Sequence, residues 1–493
     1  MRHTPFFPAW QNRLAPMGRR VGQTLETFHA YTRGQLENCF GLWVPHAIFP
    51  KAHEKTNSRD RIYTGRRTFW SMLWQGFNPN SSGREVVRQI QALSELQGGP
   101  DVSEVDGGYC RAKARLPLDQ FPKVLAATAQ AAKEAAAATR FLQGRHLKVV
   151  DGTTLILPDT PKNRKTYPPT THPNPKPNFP QMRVVVLFCF LGGAILHLVT
   201  GNLHTAELPM LHQLLNQLVR GDILMGDRGF GNFVLLSLLQ NLHRDVDFIG
   251  RSRRKVDGRH RTKRLGKNDW LVQWARNASA SDWLPLEQRL GLSKEITVRI
   301  VRGNCHVKGF RVRQMTLVTT LLDAQLYPAR EILQAYLHRW RLEMCLDDLK
   351  TTLGMETLRS RSPEMAEREI YTRLIAHNLI RCTMAHAAAE HTVPLERISF
   401  KGTLDAVRQF TQAMSQARSK KKRGQLWDKL IRTLAADRVP ERPGRREPRA
   451  VKRVKQKYPS LNRPRHQFTD RPKSSIRRAI RLAKKRLEKL GLK

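Results

Sequence analysis

Through the middle of the chain, apolar residues come in short runs broken by turn signals, and these runs predict strands. Leu147, Val149 and Val150 read as a buried strand that Thr153 to Leu157 continue beyond an Asp-Gly pair. Ile223 to Met225 make a shorter strand that ends at an acid and passes through a Gly-rich turn into the apolar helical run FVLLSLLQ. The longest apolar run, Val184 to Leu196, spans 13 residues and is interrupted by Gly192 and Gly193, so it predicts two buried strands joined by a tight turn. DWLVQWA, EITVRIVRG and FRVRQMTLVTTLL read as further strands, linked by the basic stretch RRKVDGRHRTKRLGK. Helical periodicity marks GREVVRQIQALSEL and the Ala-rich stretch Phe121 to Leu142, which Gly144 ends.

The stretch YLHRWRLEMCLDDLK, Tyr336 to Lys350, carries the most chemistry. Read as one helix with Tyr336 as origin, it places Arg339 near roughly 300°, Lys350 near 320° and Glu343 near 340°. One face thus holds a carboxylate, two cations and a phenol, beside an apolar stripe of Leu342, Leu346, Leu349 and Leu353. Two cations flanking a carboxylate keep it ionised and can grip phosphate, although a solvated face of ion pairs has the same pattern. Two upstream acids shift the weighting. Asp151 lies inside an apolar strand, where an ionised carboxylate is expensive unless paired or metal-bound, and Asp227 ends the strand Ile223 to Met225. Strand ends are where open α/β sheets put their ligands. Asp151, Asp227 and Glu343 together are the ligand set expected for two divalent metal ions, with Asp347, near 20° on the same face, a rival to Glu343.

Charge narrows the partner. Lys and Arg total 86 against 41 Asp and Glu, a formal net charge of +45, which predicts a polyanion; nucleic acid leads and an anionic membrane surface is the alternative. The 13-residue run is shorter than the roughly 20 residues a spanning helix needs, and Met1 to Arg20 lacks the apolar core of a secretory signal. No membrane partner is expected. The six cysteines are scattered without zinc spacing and read as reduced thiols of a cytoplasmic protein. Residues 441–493 hold 20 Lys or Arg and 4 acids, the pattern of an arm ordered on DNA. Its last stretch, with Ile476, Ile480, Ala483, Leu487 and Leu490 at heptad spacing, predicts a basic amphipathic helix capped by Ser475 and Gly491. No glycine-rich lysine loop of an ATP-driven enzyme is present.

The spacing Tyr, two residues, Arg, three residues, Glu, six residues, Lys falls on Tyr336, Arg339, Glu343 and Lys350 and resembles the signature of the DDE transposases of bacterial insertion sequences, IS4 family. The contexts VVDGTTLILPDT, GDILMGDRGFGNF and LKTTLGMETLRSRSPEM are similar to that family as well, so the resemblance runs from about residue 30 to about residue 460. It implies an α/β fold: a ribonuclease H-like catalytic domain interrupted by a β-rich insertion, with a helical N-terminal domain and a basic helical C-terminal region. The expected division is 1–115 helical with DNA contacts, 116–252 and 328–405 the two parts of the core, 253–327 the insertion and 406–493 the basic region.

The activity implied is DNA cleavage at element ends and joining to target DNA. Asp151 would bridge two Mg²⁺ ions, for which Mn²⁺ can substitute, and Asp227 and Glu343 would each complete one site. Tyr336, Arg339 and Lys350 would contact phosphates. The partner implied is double-stranded DNA, both transposon ends and target, held by a homodimer, with a nucleoid-associated location. Relatives that form hairpin ends stack a flipped base on a tryptophan 21 residues before the motif tyrosine; here that position is Met315, a poorer stacker, with Trp340 or Trp270 as substitutes and core packing as the default for either. A nuclease or resolvase of the same fold, or an inactive DNA-binding protein, is the alternative.

Overall fold

The computed structural model describes residues 36–45, 62–96, 98–136, 141–169, 179–241, 245–252, 261–276, 282–304, 314–417 and 419–440. The basic arm from residue 441 and its expected amphipathic helix lie outside these residues.

Helices gather first. After the short α1 (Glu37–Phe40) come α2 (Gly65–Phe77), α3 (Gly83–Leu96), α4 (Gly107–Arg115) and α5 (Gln120–Ala135). Their starts are chemically marked: the Thr64 side chain accepts from the Arg67 N–H, and Ser82 and Glu85 form a reciprocal capping box at 3.1 and 3.4 Å.

The sheet follows. Strands β1 (Leu147–Ile156), β2 (Gln181–Cys189), β3 (Ile195–Asn202), β4 (Ile223–Gly226), β5 (Asp247–Arg251), β6 (Arg261–Gly266), β7 (Asp269–Ala275), β8 (Glu295–Asn304) and β9 (Gln314–Thr319) form one sheet of order β3-β2-β1-β4-β5-β9-β8-β7-β6. β2 is antiparallel to β1 and β3, while β4 and β5 run parallel to β1. The long apolar run divides into β2 and β3 as its glycines suggest, with Gly193 at a φ of +65° in the turn. Helices α6 (Pro161–Thr166), α7 (Glu207–Leu214), α8 (Phe233–Asn241) and α9 (Leu286–Leu290) lie between strands in the sequence.

Strands β6 to β9 do not form a separate layer. β9 pairs with β5 from Ile249↔Thr319 to Arg251↔Leu317, and β8, β7 and β6 extend the same sheet outward. The stretch expected to be a basic link supplies the edge strand β6, RTKRLG. Cations on an edge strand discourage pairing with another chain, and they also hide the strand from any apolar periodicity.

The two faces of the sheet are covered differently. Val149, Val184 and Val186 pack in one core with residues of α10 (Ala329–His338) and α12 (Pro363–Glu390); Val150, Val185 and Leu224 pack in a second core with residues of α7 and α8. α12 is the central helix of the first core, and its residues 374 to 380 are buried without a break. α2 crosses it at Gly76, where an added Cβ would come within 3.2 Å of the Thr372 carbonyl. α13 (Phe400–Gln416) and α14 (Lys420–Ala436) complete the described chain.

The stretch from Tyr336 to Lys350 is not one helix. α10 ends at His338, Arg339 forms a turn, α11 runs from Trp340 to Asp347, and residues Asp348–Thr352 form a π-turn. The Leu353 N–H donates to the Asp348 carbonyl five residues back. Helical dihedrals continue through Arg339 (φ −53°, ψ −32°) and Asp348 (φ −57°, ψ −42°), and the π-turn alters the pitch only after Asp347. Arg339 and Glu343 stay adjacent, and Lys350 lies within the π-turn.

Candidate active site

Side-chain alternation on β1 decides where Asp151 points. It shares the parity of Val149, so it faces the core that contains α10 and α12. The β1–β4 ladder runs in register from Leu147↔Ile223 to Val149↔Met225, and two further residues on each strand bring Asp151 abreast of Asp227. The β4–β5 ladder ends at Gly226↔Gly250, so the next step sets Asp227 beside Arg251. Two acids and a cation therefore line neighbouring parallel strands at one level, near the carboxyl ends where an α/β sheet opens.

Local backbone chemistry fixes both aspartates. Asp151 Oδ1 accepts from the Gly152 N–H at 2.8 Å. Asp227 Oδ1 accepts from the Gly229 N–H at 2.6 Å, forming an Asx turn. Asn232 then accepts from the Leu235 N–H and starts α8. Each aspartate has its Oδ1 on the backbone and its Oδ2 outside these bonds.

The third acid arrives through Arg339. At the turn between α10 and α11, its Nη2 donates to Glu343 Oε1, while Nη1 lies 3.8 Å from Asp151 Oδ2. The guanidinium also sits 5.5 Å from the centre of the Tyr336 ring. Tyr336 is buried and donates from its hydroxyl to the Gly226 carbonyl at 3.3 Å, tying α10 to the residue before Asp227. Arg339 thus stands between Asp151 and Glu343, and Tyr336 holds the helix end against β4.

The electrostatics reflect this crowding. Burial pushes the Asp151 carboxyl up to about 6; the Gly152 N–H and Arg339 act against that shift, while Asp227 and Glu343 add to it. Burial also raises the Tyr336 phenol, opposed by Arg339 and Arg251 and reinforced by Asp227. All three acids and two cations therefore act within one small region. Among the described residues no group of three His, Cys, Asp or Glu side chains closes into a metal-ligand set. The donors present are carboxylate oxygens, which suit hard divalent cations.

The remaining expected residues are placed less centrally. Lys350 lies on the π-turn, and its ammonium makes no ion pair among the described residues. Asp347 is exposed one turn beyond Glu343. Met315, considered for a base contact, is only 6% exposed in the core on β9, opposite Gly303, so it is not presented to a nucleotide. Trp270 is likewise buried, and the Trp340 side chain lies outside what is described. Arg251 was missing from the expected set; a cation directly after the apolar run of β5, level with Asp227, is the only sequence signal it leaves.

Asp151 on β1 and Glu343 on α11 are joined through one arginine, and Asp227 follows β4 level with Asp151. Residues 143–379 match the family model described as the transposase DDE domain. The chain is 28% identical over 405 residues, 79% of its length, to the transposase InsG for insertion sequence element IS4 of Escherichia coli strain K12, of which 86% is covered. Among solved structures it is similar to the piggyBac transposase synaptic complex with hairpin DNA, with 10% identity, a TM-score of 0.37, and 85% of this chain and 86% of that one covered. The two sequence matches support a DDE transposase of the IS4 family, a DNA transposase that cleaves DNA and transfers strands. No helix among the described residues is long and apolar enough to cross a membrane.

Proposed function

We propose that Asp151, Asp227 and Glu343 are the acids at which this transposase cuts element ends and joins them to target DNA. The observation that carries the reading is Arg339, which donates to Glu343 and stands 3.8 Å from Asp151 Oδ2, with Asp227 level with Asp151 on the neighbouring strand. The strand order β3-β2-β1-β4-β5 with β2 reversed supports reading this half of the sheet as a ribonuclease H-like core.

Asp151, Asp227 and Glu343 would hold two Mg²⁺ ions between them; Mn²⁺ has the same preference for oxygen donors. Bound there, such ions supply activation of the attacking oxygen and stabilisation of the leaving oxyanion. The protein's own groups do the rest. Arg339, held against Asp151 and Glu343, can turn its planar fork to a phosphate once those carboxylates are neutralised otherwise. Tyr336 keeps α10 fixed to β4, so that the arginine and Glu343 approach the aspartates in one orientation. Arg251 and Lys350 add positive charge for the DNA backbone. The DNA partners are double-stranded transposon ends and target, held by two copies of the chain.

The test is Glu343→Gln assayed on DNA carrying the element ends. Cleavage and joining are lost while end binding persists. Full activity in that variant would overturn the assignment and transfer the role to Asp347.

A further inference from the structure

A cavity of about 700 Å³ lies between the N-terminal helices and the start of α12. Its wall carries Arg84 and Lys113 from one side and Arg359 and Arg361 from the other. Of the charges facing them, Glu369 is already taken: it accepts from Arg373 Nη2 at 2.7 Å and from the Arg359 and Ser360 N–H groups. Asp106 alone remains against four cations. Arg359 latches the two walls together, donating to the carbonyls of Asn80 and Ser81 at 2.8 and 2.9 Å and to the Asn80 side chain at 3.2 Å. Arg84 and Arg361 are exposed at the cavity. The Ser81 hydroxyl, also in the wall, is buried with no hydrogen-bond partner among the described residues. Unspent positive charge and a spare hydroxyl in a concave site of this volume fit a ligand with several anionic oxygens.

The wall is continuous with the catalytic elements. The Ile156 N–H donates to the Glu356 carbonyl and the Leu358 N–H to the Ile156 carbonyl, at 3.0 and 2.8 Å, so the strap that carries Arg359 and Arg361 is stitched to the end of Asp151's own strand. Thr160 and Asn163 side chains hold the carbonyls of Arg361 and Ser360. In the other direction the strap follows the π-turn after α11, the helix of Glu343. A ligand held here would touch a strap that is bonded to the end of Asp151's strand and that follows Glu343's helix in the chain.

We propose that this cavity grips backbone phosphate of bound DNA away from the scissile bond, fixing the duplex between the N-terminal helices and the catalytic sheet. The inference rests on the DNA transposase reading and adds a second anchoring point to it. A free nucleotide carries the same phosphate chemistry, and the experiment separates the two sources.

Cys110 lines the cavity and is exposed, whereas Cys39, Cys189, Cys345 and Cys382 are buried, so Cys110 is a built-in reporter once Cys305 is replaced by Ser. Alkylation of Cys110 by iodoacetamide is followed by peptide mapping in the full chain, alone, with saturating duplex DNA, and with a nucleoside triphosphate. DNA binding is measured in parallel by fluorescence anisotropy across a salt series, for this protein and for Arg84→Ala/Arg361→Ala. The duplex should block alkylation and the triphosphate should not, and the double substitution should lower the slope of log affinity against log salt by about 2. Bound duplex that leaves Cys110 freely alkylated overturns the proposal, as does an unchanged slope. Protection by the triphosphate but not by DNA assigns the site to free nucleotide and also overturns it. Failure of the parent chain to bind any DNA sinks the underlying reading instead, and the anisotropy arm alone reveals that.

Discussion

Arg299 offers a quantitative test of how the sheet supports the active site. Its side chain is fully buried on β8 and every part of its guanidinium is used. Nε and Nη2 donate to the two carboxylate oxygens of buried Asp269 at 2.8 and 2.6 Å, and Nη1 donates to the carbonyls of Leu321, Asp323 and Tyr327 at 3.2, 3.2 and 2.8 Å. Those carbonyls belong to the connection that leads into α10, and the Tyr327 hydroxyl is held in turn by Arg145 at 3.1 Å. Replacing Arg299 with Met keeps much of the volume but strands a buried carboxylate and three carbonyls. Removing one partner of a buried pair costs about 3 to 5 kcal/mol. Adding Asp269→Leu removes the stranded charge, so the double variant should be more stable than Arg299→Met alone. Urea unfolding of the full chain measures both, and cleavage of end-bearing DNA should fall in the single variant as the base of α10 loosens. A loss below about 1 kcal/mol, the range of exposed pairs, or a double variant less stable than the single one, would refute the reasoning.

Two further predictions concern α12 and α10. His377 is wholly buried beside Phe400, and burial, helped by Arg381 and opposed by the Asn378 side chain, pushes it down to about 3. Between about pH 3 and 6.5 the unfolded chain binds this proton and the folded chain does not, so stability is full above that range and is lost as pH falls through it. From pH 7 to pH 5 the parent should lose about 2 kcal/mol more than His377→Leu in urea unfolding, and parallel pH profiles would contradict this. Tyr336→Phe removes the hydroxyl bond to Gly226 and the one shared with Arg339, together worth roughly 2 kcal/mol, so cleavage should drop by about thirtyfold or less. Complete loss of activity would mean that the phenol does more than hold α10.

The parts of the fold most legible in the sequence are those whose burial repeats with a short period. β1, β2, β3 and β4 were visible because they alternate or run apolar between turn residues, and Asp151 and Asp227 stood out as acids set against that background. Other parts leave no such trace. α12 is buried on all sides, and with Leu374 through Ile380 all inside, no polar face marks its period. The edge strand β6 is basic for the opposite reason, because one side of it has no strand partner. The π-turn at Asp348–Thr352, which contains Lys350, cannot be read from a rule that assumes 100° per residue. Arg251 is a single cation with no spacing rule, and only the β4–β5 register gives it a place beside Asp227.

The central claim is that Asp151, Asp227 and Glu343 surround the same divalent cations. Fe²⁺, which accepts oxygen ligands, can be loaded into the full chain and used with ascorbate and peroxide to cut the backbone nearest the bound ion. Sequencing of the fragments should reveal three clusters of cuts, around residues 151, 227 and 343, suppressed together by excess Mg²⁺ and lost together in Asp151→Asn. Cuts confined to one of these segments, or scattered without competition by Mg²⁺, would contradict the account.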